Sequence, residues 1–281
     1  MGTLDGKVAL VTGASRGIGA EIARRFAAEG AVVAVSARTT EAGQSPFEGT
    51  INETVADITA AGGSAVAFAA NLGRGEDRAR LVDEVRTELG PIDILVNNAA
   101  VTYFTPVVDF AEKHFRLMFE VQVRAPFELS QLVLPSMIER GGGSILNISS
   151  KAGVHPAEPP ARGIGGAGTV YGMVKAALER FTTGLASEVH AHGITVNALS
   201  PTGIVPTPGV VHHQLITEAR RDDVEPEAVM AAAALALVSG VPRPLNGRIA
   251  YSQQLLAELG LGPAPRPDQL VSAHPRLTIE E

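Results

Sequence analysis

Tyr171 and Lys175 stand four residues apart, the spacing that places two side chains on one face of a helix, a turn from each other. A phenol loses its proton near pH ~10 in water, so it is a poor acid-base catalyst at neutrality unless a neighbouring cation favours the phenolate. Lys175 is such a cation, and Ser150, at the end of the apolar stretch 145–148, adds a hydroxyl. A Y-x-x-x-K step also occurs by chance on solvated helix faces, so alone it specifies little. A second feature lies at the amino end. Residues 7–12 (KVALVT) form a short β-branched apolar run that reads as a buried strand, followed at once by Gly13, Ala14, Ser15, Arg16, Gly17, Ile18 and Gly19 and by the helical stretch 20–29. Glycines between a strand and a helix allow a tight turn and let the backbone approach a pyrophosphate, whose charge meets the N–H groups at the helix start. The spacing here is G-x-x-x-G-x-G rather than G-x-G-x-x-G.

The elements that must position these groups alternate. Strands are predicted at 8–12, 31–36, 64–69, 92–97, 143–149 and 194–200, with helices at 20–29, 51–61, 76–89 and 111–137 between them. That order predicts an α/β fold: a Rossmann-type, doubly wound parallel sheet with helices on both faces, in a single domain. Residues 1–261 are assigned to a nucleotide-binding catalytic domain and 262–281 to a proline-rich tail. Alanine-rich 231–237 reads as a packed helix. The stretch 155–168 carries prolines in its first half and glycines in its second, a composition suited to a lid and equally to a plain solvent loop.

A formal net charge of −7 argues against a nucleic-acid or anionic-membrane partner. With no cysteine, thiol chemistry is excluded. Met1 to Lys7 runs almost straight into the first strand, and no apolar run approaches the ~20 residues of a spanning helix, so cytoplasmic residence is expected.

Residues 12–19 (TGASRGIG), Asn97-Asn98-Ala99-Ala100, Asn147-Ile148-Ser149-Ser150, Tyr171 with Lys175, and 197–201 occur in this chain in an order that resembles the classical short-chain dehydrogenase/reductase family, closely over residues 5–210. The resemblance implies a nicotinamide cofactor, a small carbonyl or alcohol substrate, a homo-oligomer (dimer or tetramer) and no metal. It carries the catalytic roles onto Ser150, Tyr171 and Lys175: Ser150 donates to the substrate carbonyl, Tyr171 protonates the forming alkoxide, and Lys175 lowers the Tyr171 pKa and holds the ribose hydroxyls. Ser149 is the rival to Ser150. The expected cofactor contacts are Gly13, Ser15, Arg16, Gly17, Ile18, Gly19, Arg38, Asn71, Leu72, Asn98, Ala99, Tyr171, Lys175, Pro201, Ile204 and Thr207, with Asn97 supporting the adenosine end. Where sites for NAD usually place an acid at the end of the second strand, this chain has Ala37 followed by Arg38. Arg16 and Arg38 are therefore expected to flank a 2′-phosphate, favouring NADP(H) over NAD(H).

The chain departs from the family's pattern in several places. Gln122 stands where the family has an asparagine that anchors a water in the proton relay, and Gln122 is expected to take that role. After Pro201 the chain reads Thr202-Gly203-Ile204-Val205-Pro206-Thr207 in the loop that contacts the carboxamide. Ser150 and Tyr171 are unusually far apart, and residues 245–251 replace a C-terminal Asp-Gly-Gly, followed by a predicted helix at 252–259. With the insertion 42–51, these departures are similar to a hydroxysteroid dehydrogenase-like subgroup. An epimerase or dehydratase on the same fold would need the same tyrosine and lysine; a regulatory nucleotide-binding protein would keep only the glycine turn.

Overall fold

β1 (Val8–Thr12) shows why the chain folds as it does. Its residues are buried throughout, with Ala9 and Val11 in one apolar cluster and Val8 and Leu10 in another, as alternation requires of a strand covered on both faces. This computed structural model describes residues 2–154, 167–266 and 269–271. β1 sits centrally in a seven-stranded sheet with β2 (Val32–Ala37), β3 (Ser64–Ala69), β4 (Ile94–Asn97), β5 (Gly143–Ile148), β6 (Ile194–Ser200) and β7 (Ile249–Tyr251), in the order β3-β2-β1-β4-β5-β6-β7. Each pairing is parallel.

Helices cover both faces. α1 (Gly17–Ala28) brings Ile22 and Phe26 to the first cluster, joined there by Met230 and Leu237 of α8 (Glu227–Ser239), while α2 (Ile51–Ala60) adds Ile58. On the other face α3 (Gly75–Leu89) supplies Leu81 and Val85, α5 (Ala125–Arg140) supplies Leu129 and Val133, and α6 (Thr169–Val189) supplies Leu185. α4 (Glu112–Phe119), α7 (Pro208–His212) and α9 (Ser252–Glu258) complete the set.

Two expectations need correcting. The single helix predicted at 111–137 is three pieces: α4, a π turn at Glu120–Arg124 in which the Ala125 N–H donates to the Glu120 carbonyl, and α5. Pro126 is the physical reason, since it has no N–H to offer the carbonyl of Gln122 four residues back and its ring crowds that carbonyl. The second correction is β7, a three-residue strand too short to show periodicity, added beside β6 within the stretch 245–251. Among the described residues no helix is long and apolar enough to cross a membrane. Of the stretch read as a lid, residues 155–166 lie outside the described residues, as do most of those in the tail; Gln269, within the tail, accepts a hydrogen bond from Lys151 Nζ at 3.1 Å.

Candidate active site

The glycine turn is tight because it has no room for side chains. Gly13 and Gly17 have φ of +66° and +55°, the left-handed region that favours glycine. A Cβ on Gly13 would lie 2.7 Å from Ala99 Cα, and one on Gly19 would lie 2.3 Å from Asn98 Nδ2. Asn98 Nδ2 donates to the carbonyls of Thr12 and Gly13, and the Asn98 and Ala99 amides both donate to Thr12 Oγ1. Asn98 and Ala99 thus brace the turn from β4. α1 opens without a side-chain cap, so its first N–H groups are available to an anion. The turn fits the phosphates of a dinucleotide.

At the corner beyond β2, Arg16 is held by the insertion. Its Nε donates to Glu48 O (2.8 Å), one terminal nitrogen to Gly49 O (2.6 Å) and the other to Ser45 Oγ (3.3 Å), with Phe47 beneath the guanidinium at 5.8 Å. Burial, then the charge of nearby Arg38, lowers the Arg16 pKa. The two arginines therefore share a corner, although Arg16 already spends three of its donors on the loop.

α6 carries the phenol and the ammonium on one face, as their spacing predicts. Lys175 is 3 % exposed, its Nζ donates to Ile148 O at 2.9 Å, and it lies 5.6 Å from the centre of the Tyr171 ring. Burial pulls the Lys175 pKa down to about 8, opposed by the negative charge of Glu179 one turn further along α6. The expected depression of Tyr171 is not found: burial raises its pKa, while a hydrogen bond with Ser150 works the other way. The two adjacent serines diverge because successive residues at a strand end face opposite ways. Ser149 Oγ donates to buried Glu179 at 2.7 Å, whereas the Ser150 hydroxyl meets Tyr171. A train of edge-to-face rings leads away from Tyr171, through Phe104 at 5.7 Å, His213, His212 and then Phe47 of the insertion.

Gln122 lies in the π turn, buried, with Nε2 donating to Val101 O at 2.7 Å and Oε1 without a partner among the described residues. The π turn is fastened by Arg78, 1 % exposed, which donates to Glu120 at 2.8 Å, to Glu128 at 2.6 Å and to Leu72 O at 2.6 Å. Leu72 itself is buried in the core, and Asn71 Oδ1 accepts from the Gly73 amide, capping its own turn. Asn97 is likewise buried, donating to Asn147 Oδ1 at 2.8 Å. Beyond β6, Pro201 leads into a loop in which Ile204 bridges to Val224, and Thr207 caps α7 and approaches the turn so closely that a Cβ on Gly17 would lie 3.0 Å from its methyl group.

Ser150, Tyr171, Lys175, the glycine turn, Asn98, Ala99 and Thr207 thus cluster at the carboxyl ends of the strands, where ligands bind open parallel sheets. Arg78, Glu179 and Glu225 were not foreseen. Each is a charged residue buried by partners far away in sequence; for Arg78 and Glu179 only a position within an apolar helical pattern could have signalled it, and Glu225, which lies just before α8, carried no local signal.

The sequence model described as short chain dehydrogenase matches residues 7–214. A short chain dehydrogenase of Pseudocercospora fijiensis is 38% identical over 205 residues, which is 72% of this chain and 61% of that protein. This chain therefore spans about three fifths of that relative's length. A structure of a 7 alpha-hydroxysteroid dehydrogenase with NADH and 7-oxo glycochenodeoxycholic acid is similar with a TM-score of 0.76 and 33% identity, covering 88% of this chain and 93% of that one. A metagenomic short-chain oxidoreductase in complex with NADP is similar with a TM-score of 0.71 and 29% identity, covering 88% and 97%.

Proposed function

We propose, from the premise that this chain belongs to the short-chain dehydrogenase/reductase family, that it is an NADP(H)-dependent oxidoreductase interconverting a ketone or aldehyde with an alcohol. The observation that carries the proposal is the trio itself: Ser150 hydrogen-bonded to Tyr171, with Lys175 beneath the ring, beside a glycine turn shaped for a dinucleotide. The nicotinamide, when bound, supplies or accepts the hydride. Ser150 donates a hydrogen bond to the substrate carbonyl, and Tyr171 gives its proton to the oxygen as negative charge grows there. A phenol held protonated by burial is suited to that step. Lys175, still an ammonium below about pH 8, stabilises the phenolate left behind. Gly13, Ser15, Gly17, Ile18 and Gly19 would hold the pyrophosphate, and Lys175 the ribose.

NADP(H) preference is supported by Arg16 and Arg38 sharing the corner after β2, with Ala37 offering no opposing charge. Relatives bind either cofactor, NADP in one case and NADH in another. A cytoplasmic homo-oligomer, dimer or tetramer, is part of the proposal: Phe127, Leu132 and Ile138 are exposed on α5, and mass photometry checks it.

The test is a carbonyl and alcohol panel read by nicotinamide absorbance with NADPH and NADH. Tyr171→Phe is expected to lose turnover by several orders of magnitude while binding cofactor nearly as before. Activity retained in that variant refutes the assignment. Interconversion without net cofactor change would identify an epimerase or dehydratase, and binding without turnover a regulatory protein.

A further inference from the structure

Two departures from the family's pattern, the altered loop after Pro201 and the replaced segment leading into β7 and α9, meet at one buried carboxylate. Glu225, 1 % exposed, immediately precedes the residue that caps α8. Its Oε2 accepts from the Gly203 amide at 3.0 Å and from Gln253 Nε2 at 2.7 Å, and its Oε1 accepts from Ser252 Oγ at 2.7 Å. Ser252 Oγ in turn accepts from the Thr202 amide at 2.9 Å, and Thr202 Oγ1 accepts from the Gln253 amide at 3.1 Å. The Ile204 amide donates to Asp223 O at 2.6 Å, and the Glu225 amide donates back to Ile204 O at 3.0 Å. Three successive amides, those of Thr202, Gly203 and Ile204, are therefore committed to the 223–225 and 252–253 segments. Gly203 has no space for anything larger, since a Cβ there would lie 2.3 Å from Asp223 O.

A buried charge is tolerated when hydrogen-bond donors satisfy it. Here the donors are the loop itself, so the charge and the loop conformation stabilise each other. The loop leaves β6 beside the end of β5 that carries Ser150 and runs to Thr207, which touches the glycine turn. We propose that Glu225 is a positioning residue, fixing the Thr202–Ile204 loop so that it presents a rigid surface to the nicotinamide half of the bound cofactor. This rests on the nicotinamide-dependent function proposed above.

The experiment compares NADPH with adenosine 2′,5′-bisphosphate, which lacks the nicotinamide half, by calorimetric titration of wild type, Glu225→Ala, Ser252→Ala and Glu225→Gln. In Glu225→Ala, NADPH affinity is expected to fall roughly tenfold or more, the loss of hydrogen bonds to a charged group, with the bisphosphate changed by no more than about twofold. Glu225→Gln, which keeps an acceptor for Gly203 and can donate to Ser252, recovers most of the NADPH affinity. If Glu225→Ala does not fold, Ser252→Ala decides by the same split with a smaller effect. Equal losses for both ligands in the folded variants, or no loss for either, overturn the role. A wild type that binds the bisphosphate and NADPH but shows no split in the variants leaves the function standing and removes Glu225 from it. A wild type that binds neither overturns the function as well.

Discussion

Two cations are buried to nearly the same degree, Arg78 and Lys175, and they are treated in opposite ways. Arg78 is clamped by two carboxylates and a carbonyl, and it joins the turn after β3 to the π turn and to α5. Among the described residues Lys175 has one carbonyl at hydrogen-bond distance, and its pKa falls to about 8. A fully paired cation is a fixed structural joint, whereas an under-paired one has a charge poised to respond to what enters beside it. Both occur in one fold because the acid one turn along α6, Glu179, opposes the fall of the Lys175 pKa only in part and takes a hydrogen bond from Ser149.

The largest expected effect comes from breaking the paired site. Arg78→Ala leaves Glu120 and Glu128 facing each other and Leu72 O without its donor, and is expected to destabilise the protein by ~3–5 kcal/mol, measured by urea unfolding. If the loss is under ~1 kcal/mol, Arg78 is not the joint described and the contrast between the two cations collapses.

Lys175→Met is expected to do the reverse, raising stability at pH 7 by ~1–3 kcal/mol while abolishing turnover. The sign follows from the lowered pKa. Below about pH 8 the folded protein carries a buried ammonium, and the burial penalty is fully present. Between about 8 and the unfolded value near ~10.4 the unfolded chain binds more protons than the folded one, so wild-type stability rises with pH and the advantage of the methionine variant shrinks. Urea midpoints of the two proteins across that range check it; a constant difference would show that Lys175 does not titrate there.

The same titration predicts that the rate of carbonyl reduction falls as pH rises through about 8, where the ammonium that stabilises the phenolate is lost. A rate indifferent to pH from about a unit below that pKa to about a unit above it would place the ionising group elsewhere. The last effect belongs to Gln122. Its buried Oε1 has no partner among the described residues, which suits a bound water, so Gln122→Leu is expected to slow the chemical step more than Gln122→Asn, by ~1–3 kcal/mol in barrier. Equal rates in the two variants would reduce Gln122 to packing against Val101.

Much of this arrangement was legible in the sequence, for reasons of range. The strands at 64–69 and 194–200 match the structure residue for residue, and Tyr171 and Lys175 share a face, because periodicity and helical spacing are local properties. Ser150 could be separated from Ser149 only by family resemblance; in three dimensions the difference is a hydrogen bond to Glu179 across 30 positions of sequence. The Arg78 clamp reaches 42 and 50 positions away and the Glu225 network 22 to 28, and no local pattern specifies which distant carboxylate or amide will be met. The expected 2′-phosphate pair shows the same limit. The charge of Arg38 acts on Arg16, but the insertion's hold on Arg16 depends on how residues 45–49 fold back, which their composition does not disclose.

The chain has no tryptophan and three tyrosines. Tyr251 lies buried on β7, while Tyr171 and Tyr103, the latter stacked on His114 with ring centroids 3.7 Å apart, pack into one small apolar cluster with Met118, Val170 and Val174. Ultraviolet emission from the native protein therefore comes from tyrosine alone, and two of its three emitters stand at the catalytic end of α6. Anything that settles against Tyr171 should alter the light the protein gives off, so the unlabelled molecule is its own optical reporter of site occupancy, with Tyr251 as the steady background.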